Sequence, residues 1–221
     1  MPLVGRVNFE DLRRLAPIEA SFGYRRGRPI DRYYIESYLD RRSGDIHEHV
    51  LEIGDNSDTY RFGGSGVTRS SVLHVSKEGS GVDYVGSLED GKNLPSGEFD
   101  CLILTQTLHL IYDFHSALQT VRRILRPGGI LLLTTPGKSQ LDRGEWKSSW
   151  YWSFTEASLQ RMLADAFGTE AEVEVHGNVL TAIAFLQGRA TEELTKEELD
   201  TFDEAYPVTI GARIAKSSPE G

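Results

Sequence analysis

The sequence predicts a doubly wound α/β domain with an N-terminal helical cover. Two textures carry that reading. Short apolar runs alternate with helical patterns through the middle of the chain, as in a parallel sheet covered on both faces. Residues up to about Arg42 instead read as helical segments with a loop at Gly23 to Pro29. The expected organisation is one domain over 1–216, with a helical cover over 1–45, an α/β core over 46–216 and a flexible tail over 217–221.

In the cover, Tyr34, Ile35, Tyr38 and Leu39 recur at helical spacing, and Pro29 suits a first helical turn. Strands are expected at His49–Ile53, Ser71–Val75, Val82–Val85, Asp100–Thr105 and Gly129–Thr134. Between the last two, Ala117, Leu118, Val121, Ile124 and Leu125 mark a helix that Arg126-Pro127-Gly128-Gly129 stops. Ser153 to Glu156 has capping-box spacing and opens a helix with Leu159, Met162, Leu163, Ala166 and Phe167 on one face, ended by Gly168. Ala171–Val175 alternates like an edge-side strand, and Val179–Leu186 suits either a helix or a buried strand. An acidic helix near Glu197–Phe202 and a last strand over Pro207–Ile214 complete the pattern.

The 221 residues are 39% hydrophobic and 26% charged, which excludes a disordered or fibrous chain. No apolar run approaches the roughly 18 residues of a membrane span, and Met1–Arg6 lacks the apolar block of a secretory signal. A soluble, cytoplasmic protein is expected. Its one cysteine, Cys101, lies in an apolar run and reads as a small buried hydrophobe. The net charge of −9 argues against nucleic-acid and anionic-membrane partners. Arg13, Arg14, Arg25, Arg26, Arg28, Arg32, Arg41 and Arg42 nonetheless cluster near the N-terminus. They read as solvated faces or as a local patch for a substrate carboxylate or phosphate. No metal is expected: His47 and His49 find no third ligand in the sequence.

Glu52-Ile53-Gly54, Phe99 to His109 and Leu125 to Gly129 together resemble, in order and spacing, class I S-adenosylmethionine-dependent methyltransferases. Arg26 to Ile35, Ile111-Tyr112-Asp113, Thr135-Pro136-Gly137, Tyr151-Trp152 and Gly177 to Leu180 are similar to a bacterial branch associated with glycosyltransferases and natural-product clusters. The resemblance implies a Rossmann-like sheet of seven strands, the last antiparallel, with S-adenosylmethionine over the ends of strands one to four. Glu52, Gly54 and Asp55 would face its methionine portion, Thr105 and Gln106 its sulfonium, and Tyr33 its amino-acid group. The family's acidic ribose anchor falls at or beside Ser71, and its acidic adenine-side anchor at Ser87, next to Leu88. A serine offers one neutral partner where a carboxylate offers charge-assisted acceptors.

Methyl transfer asks mainly for alignment, with a base only where the acceptor must lose a proton. His109 is the leading candidate, with Tyr33 and Asp113 as further catalytic candidates and an N-cap as the other reading of Asp113. Tyr34, Tyr112, Trp150 and Trp152 are candidate substrate contacts, the tryptophans belonging to an aromatic loop that reads as a wall or lid. The expected activity is methyl transfer to a small natural-product or sugar-bearing acceptor. Because of Ser71 and Ser87, two alternatives stay open: a repurposed enzyme doing other chemistry such as cyclisation, or a non-catalytic partner subunit.

Overall fold

The computed structural model describes residues 8, 10–77 and 81–218. The far end of the expected tail, 219–221, lies outside them. Before the first helix the described residues hold one short 3-10 turn, Glu10–Arg13, in place of the helical segments expected there. Helix α1 then runs Ile30–Arg41, with Pro29 at its N-cap, one position before the expected first turn.

Strand β1 (Glu48–Ile53) leads into α2 (Ser57–Gly63), and β2 (Val67–His74) and β3 (Tyr84–Val85) follow. β4 (Phe99–Thr105) is joined to β5 (Leu125–Pro136) by α3 (Phe114–Ile124). Then come α4 (Glu156–Phe167), β6 (Glu172–His176), α5 (Val179–Leu186), α6 (Lys196–Asp200) and β7 (Thr209–Ala215). The seven strands form one sheet in the order β3-β2-β1-β4-β5-β7-β6. Neighbours from β3 to β5 are parallel, and β7 is antiparallel to both β5 and β6. The order reverses between β1 and β4, the place where such sheets open a ligand crevice.

Each face of the sheet buries its own core, as strand alternation requires. Leu51, Leu102, Leu104, Leu131 and Leu133 pack with α3 and α4, while Val50, Cys101, Ile103 and Leu132 pack with Ile35, Tyr38 and Leu39 of α1. Cys101 is fully buried, and burial pushes its thiol up. Tyr38 lies so close over β7 that a Cβ on Gly211 would come within 2.8 Å of its ring, and its hydroxyl donates to the Ala212 carbonyl (2.6 Å). A third cluster joins Ile30 and Tyr34 of α1 to Phe185 of α5 and Leu199 of α6.

Several boundaries differ from the sequence reading. β2 begins at Val67, four residues before Ser71, and β5 at Leu125, four before Gly129. The α4 box is set by Thr155, whose Oγ1 accepts from Ser158 N (3.2 Å) while Ser158 Oγ accepts from Thr155 N (2.9 Å). Gly168 ends that helix in the left-handed conformation. Val179–Leu186 is a helix, capped by Asn178 Oδ1 accepting from Thr181 N (3.0 Å). Among the described residues no helix is long and apolar enough to cross a membrane.

Much of the arginine cluster is spent inside the fold. Arg26 pairs with Glu193, Arg28 with Glu36, Arg32 with Asp58 and Glu36, and Arg41 and Arg42 with Glu174. These pairs hold the cover down and leave no basic patch from those five side chains.

Candidate active site

A cleft of about 860 Å³ opens over the carboxyl ends of β1, β2 and β4 and beneath the start of α1. That size accommodates a nucleoside together with a second small molecule. Each wall follows from how its strand ends.

β1 ends in a loop held from behind. Glu52, 3% exposed, accepts from Thr59 N (2.8 Å), Thr59 Oγ1 (2.6 Å) and Asp58 N (3.3 Å), pinning the start of α2. Burial pushes its carboxyl up to about 7, against those hydrogen bonds. Glu52 is thus a brace beneath the loop and does not line the cleft. Gly54 does, with φ +96°, and a Cβ built there would meet no atom within 4 Å. Only glycine enters that conformation without strain while leaving the approach open. Asp55 also lines the cleft, and its Oδ1 accepts from Ser57 N (2.7 Å) at the entry to α2.

β2 presents His74, not Ser71. Ser71 pairs with Leu51 in mid-strand, is 1% exposed, and meets His49 Nε2 at 3.1 Å. The expectation that Ser71 stands at the ribose position is therefore corrected: the strand runs three residues further before it ends. β3 is followed by Gly86, Ser87 and Leu88, all on the cleft. Ser87 Oγ accepts from Asp90 N (3.3 Å), capping a turn. Glu89 accepts from Asp113 N (2.7 Å), Asp90 pairs with Lys92, and neither lines the cleft.

β4 ends in Thr105 and Gln106, both on the cleft. Gln106 has φ +46°, an uncommon conformation for a residue with a side chain, and its Nε2 is buried without a partner. The chain then turns so that His109, 2% exposed, lines the cleft with its ring 4.3 Å from that of Trp150. Its Nδ1 is buried without a partner, and burial pushes the imidazole down to about 4, so it is neutral at physiological pH. The His109 carbonyl accepts from Tyr151 N and Trp152 N, docking the aromatic loop. Trp150 lines the cleft and stacks on Phe22 at 6.1 Å.

The remaining candidates fall elsewhere. Tyr33 donates to Asp200 Oδ1 (2.6 Å) and Tyr34 to the Leu199 carbonyl (2.9 Å), so both bind α1 to α6 outside the cleft. Asp113 is the N-cap of α3, accepting from Ser116 N (3.0 Å) and Ser116 Oγ (2.6 Å). Tyr112 is 67% exposed and packs on Tyr151 and Trp152, whose Nε1 donates to the Ile111 carbonyl (3.0 Å). These placements take Tyr33, Tyr34, Asp113, Tyr112 and Trp152 out of the cleft wall.

The neighbours of Tyr33 line the cleft instead. Asp31 and Arg32 lie there side by side, Arg32 donating to Asp58 Oδ1 (3.0 Å). Asp31 accepts from Arg32 N (2.9 Å), and desolvation pushes its carboxyl up to about 6. Asp31 stands three and four residues before Tyr34 and Ile35, so it continues the buried stripe of α1. A carboxylate on an apolar stripe is the signal that identifies it in the sequence. Asp142, Glu145 and Trp146 also line the cleft, contributed by the loop before α4.

The sequence profile of the methyltransferase domain matches residues 31–172. The chain belongs to the methyltransferase-domain family. No curated protein matches it. This methyltransferase-domain chain shares its fold with solved structures at low identity. A SAM-dependent methyltransferase from Archaeoglobus fulgidus is 14% identical, with 84% of this chain and 94% of that one covered and a TM-score of 0.58. A chain from the complex of the Haloferax volcanii Trm112 methyltransferase activator with a methyltransferase is 18% identical, over 85% and 92%, with a TM-score of 0.57. The [4+2]-cyclase SpnF is 17% identical, over 83% and 80%, with a TM-score of 0.55.

Proposed function

We propose that this protein transfers the methyl group of S-adenosylmethionine to a small-molecule acceptor held beneath the N-terminal cover. One observation carries the reading. The cleft sits at the strand-order reversal, and Gly54 and Gln106 there both hold positive φ, leaving an open approach between the ends of β1 and β4. The residues present fit the donor. Gly54 leaves room for close backbone approach, Thr105 and Gln106 line the end of β4, and the cleft's carboxylates suit a cation.

In this reading Gly54, Asp55, Thr105 and Gln106 hold the methionine and sulfonium side. Ser87 and Leu88 border the adenine. Asp31, on the cleft wall, matches an α-amino acid's ammonium, the role the resemblance implied for Tyr33. When bound, the donor supplies an already activated methyl group. The protein therefore supplies alignment and exclusion of water. Neutral His109 is the cleft's acceptor for an acceptor's proton or N–H.

A natural-product or sugar-bearing acceptor, the bacterial natural-product branch and a cytoplasmic setting belong to the same proposal, with no nucleic-acid or membrane partner. Titration calorimetry with S-adenosylhomocysteine tests the core of it. A one-site isotherm is expected, and no heat at millimolar ligand defeats it. A second reading, other chemistry in the same cleft, is favoured by one observation: His74 and Ser87 stand where β2 and β3 reach the cleft, so neither end offers a carboxylate. Nucleoside binding without methyl transfer to any acceptor would select it.

A further inference from the structure

We propose that the acceptor is a cationic amine, methylated on nitrogen. This deepens the methyl-transfer reading and rests on it, adding the chemistry of the second ligand. Beside the aromatic wall of the cleft stand two carboxylates, Asp142 and Glu145. Among the described residues the arginine that lines the cleft, Arg32, is committed to Asp58 and Glu36, and no lysine lines it. Desolvation works against ionised Asp142, but backbone N–H groups of Trp146, Gly144 and Arg143 prevail and hold its carboxyl below the usual range. The cleft at this end is anionic.

Two independent features show that a ligand of this charge is accommodated. Trp146, Trp150 and Phe22 line the same region, and ring faces attract cations electrostatically. His109 lines it too, nine-tenths buried and with Nδ1 unpartnered. Nδ1 itself is sealed from the cleft, so a ligand meets the rest of the ring, and an imidazole kept neutral by burial can accept its N–H.

The charge flow of the reaction separates amine from hydroxyl acceptors. A bound ammonium first releases one proton to solvent, freeing its lone pair, and His109 accepts a remaining N–H. The nitrogen pair then forms the bond to the methyl carbon while the carbon–sulfur bond breaks, its electrons staying on sulfur. The positive charge passes from sulfur to nitrogen, so Asp142 and Glu145 stand near the atom that gains it. A hydroxyl acceptor must instead shed its proton and attack with anionic character, which both carboxylates oppose.

The test is a fluorescence titration of the full-length protein, without cofactor, using benzyltrimethylammonium, benzyl alcohol and benzoate as probes. Saturable tryptophan quenching is expected for the cation, with benzyl alcohol and benzoate about tenfold weaker or worse. Glu145→Gln, at an exposed position that does not threaten folding, should weaken the cation about two- to threefold, and Asp142→Asn with Glu145→Gln about tenfold. Equal affinity for benzyl alcohol, preference for benzoate, or an unchanged cation affinity in the double variant overturns the proposal. An empty S-adenosylhomocysteine isotherm defeats the donor assignment instead, so the two failures are distinguishable.

Discussion

The floor of the cleft has two halves built on different physics. At the ends of β1 and β4 the backbone is bent into positive φ at Gly54 and Gln106, a carboxylate braces the loop from below, and Asp31, Arg32 and Asp55 bring charge. At the ends of β2 and β3 the lining is His74, Ser87 and Leu88, with Ser87 occupied in capping its own turn. Backbone strain survives only where the surroundings enforce it. The first half is therefore specified for a charged ligand, whereas the second offers neutral hydrogen bonds. Affinity for a sulfonium nucleoside should come mainly from its amino-acid end.

The largest effect expected from that contrast is at Gly54. Gly54→Val adds a branched side chain at φ +96° that points into open cleft. S-adenosylhomocysteine affinity should fall by about a hundredfold or more, beyond detection by calorimetry. An unchanged isotherm would place the ligand elsewhere.

Next comes the charged half itself. Asp31→Asn replaces a charge-assisted partner of an ammonium, worth about 1.5–3 kcal/mol, with a neutral one. S-adenosylhomocysteine should bind about ten- to a hundredfold more weakly. Methylthioadenosine, which lacks the amino acid, should be unaffected. Equal losses for both ligands would show that Asp31 acts on the fold and not on the ammonium.

The neutral half gives a smaller effect of opposite sign. Ser87→Asp places a carboxylate beside the adenine side and can still accept from Asp90 N. Both S-adenosylhomocysteine and methylthioadenosine should then bind about threefold to tenfold more tightly. No gain would mean that Ser87 is not where the nucleoside lies.

How far these residues were legible in sequence depends on whether periodicity reached them. The sheet was readable because its buried strands are continuous apolar runs, and α4 because its stripe and Gly168 agree. β2 was readable only in part: Val67, Thr68, Arg69 and Ser70 are not buried, so no apolar run announces them. The expected end at Val75 lies one residue from the observed His74, so the ribose position was read at the wrong end of the expected strand, at Ser71 instead of near His74. Tyr33 drew the amino-acid role from the family resemblance, although the stripe of α1 includes Asp31. Asp142 and Glu145 carry no periodic signal, since a loop brings them to the cleft.

The contrast also predicts how stability varies with pH, the smallest and most diffuse effect. Glu52, under the charged half, has its carboxyl raised to about 7 from an ordinary 4.5. Between those values the folded protein holds a proton that the unfolded chain has released. Its contribution is fully present below about pH 4.5 and is lost as pH rises through 7. His109 runs the other way, lowered from 6.5 to about 4. There the unfolded chain gains the proton first, so stability falls as pH drops below 6.5. The two windows overlap between pH 4.5 and 6.5, where the opposed slopes largely cancel, and Asp31, raised from 3.8 to about 6, adds to the slope of Glu52. Over that window, denaturant unfolding of Glu52→Gln should show stability rising with pH relative to the parent protein, and His109→Phe should show it falling more steeply than the parent. If His109→Phe leaves the profile unchanged, the imidazole is hydrated in solution, and its part as a neutral acceptor in the cleft fails with it.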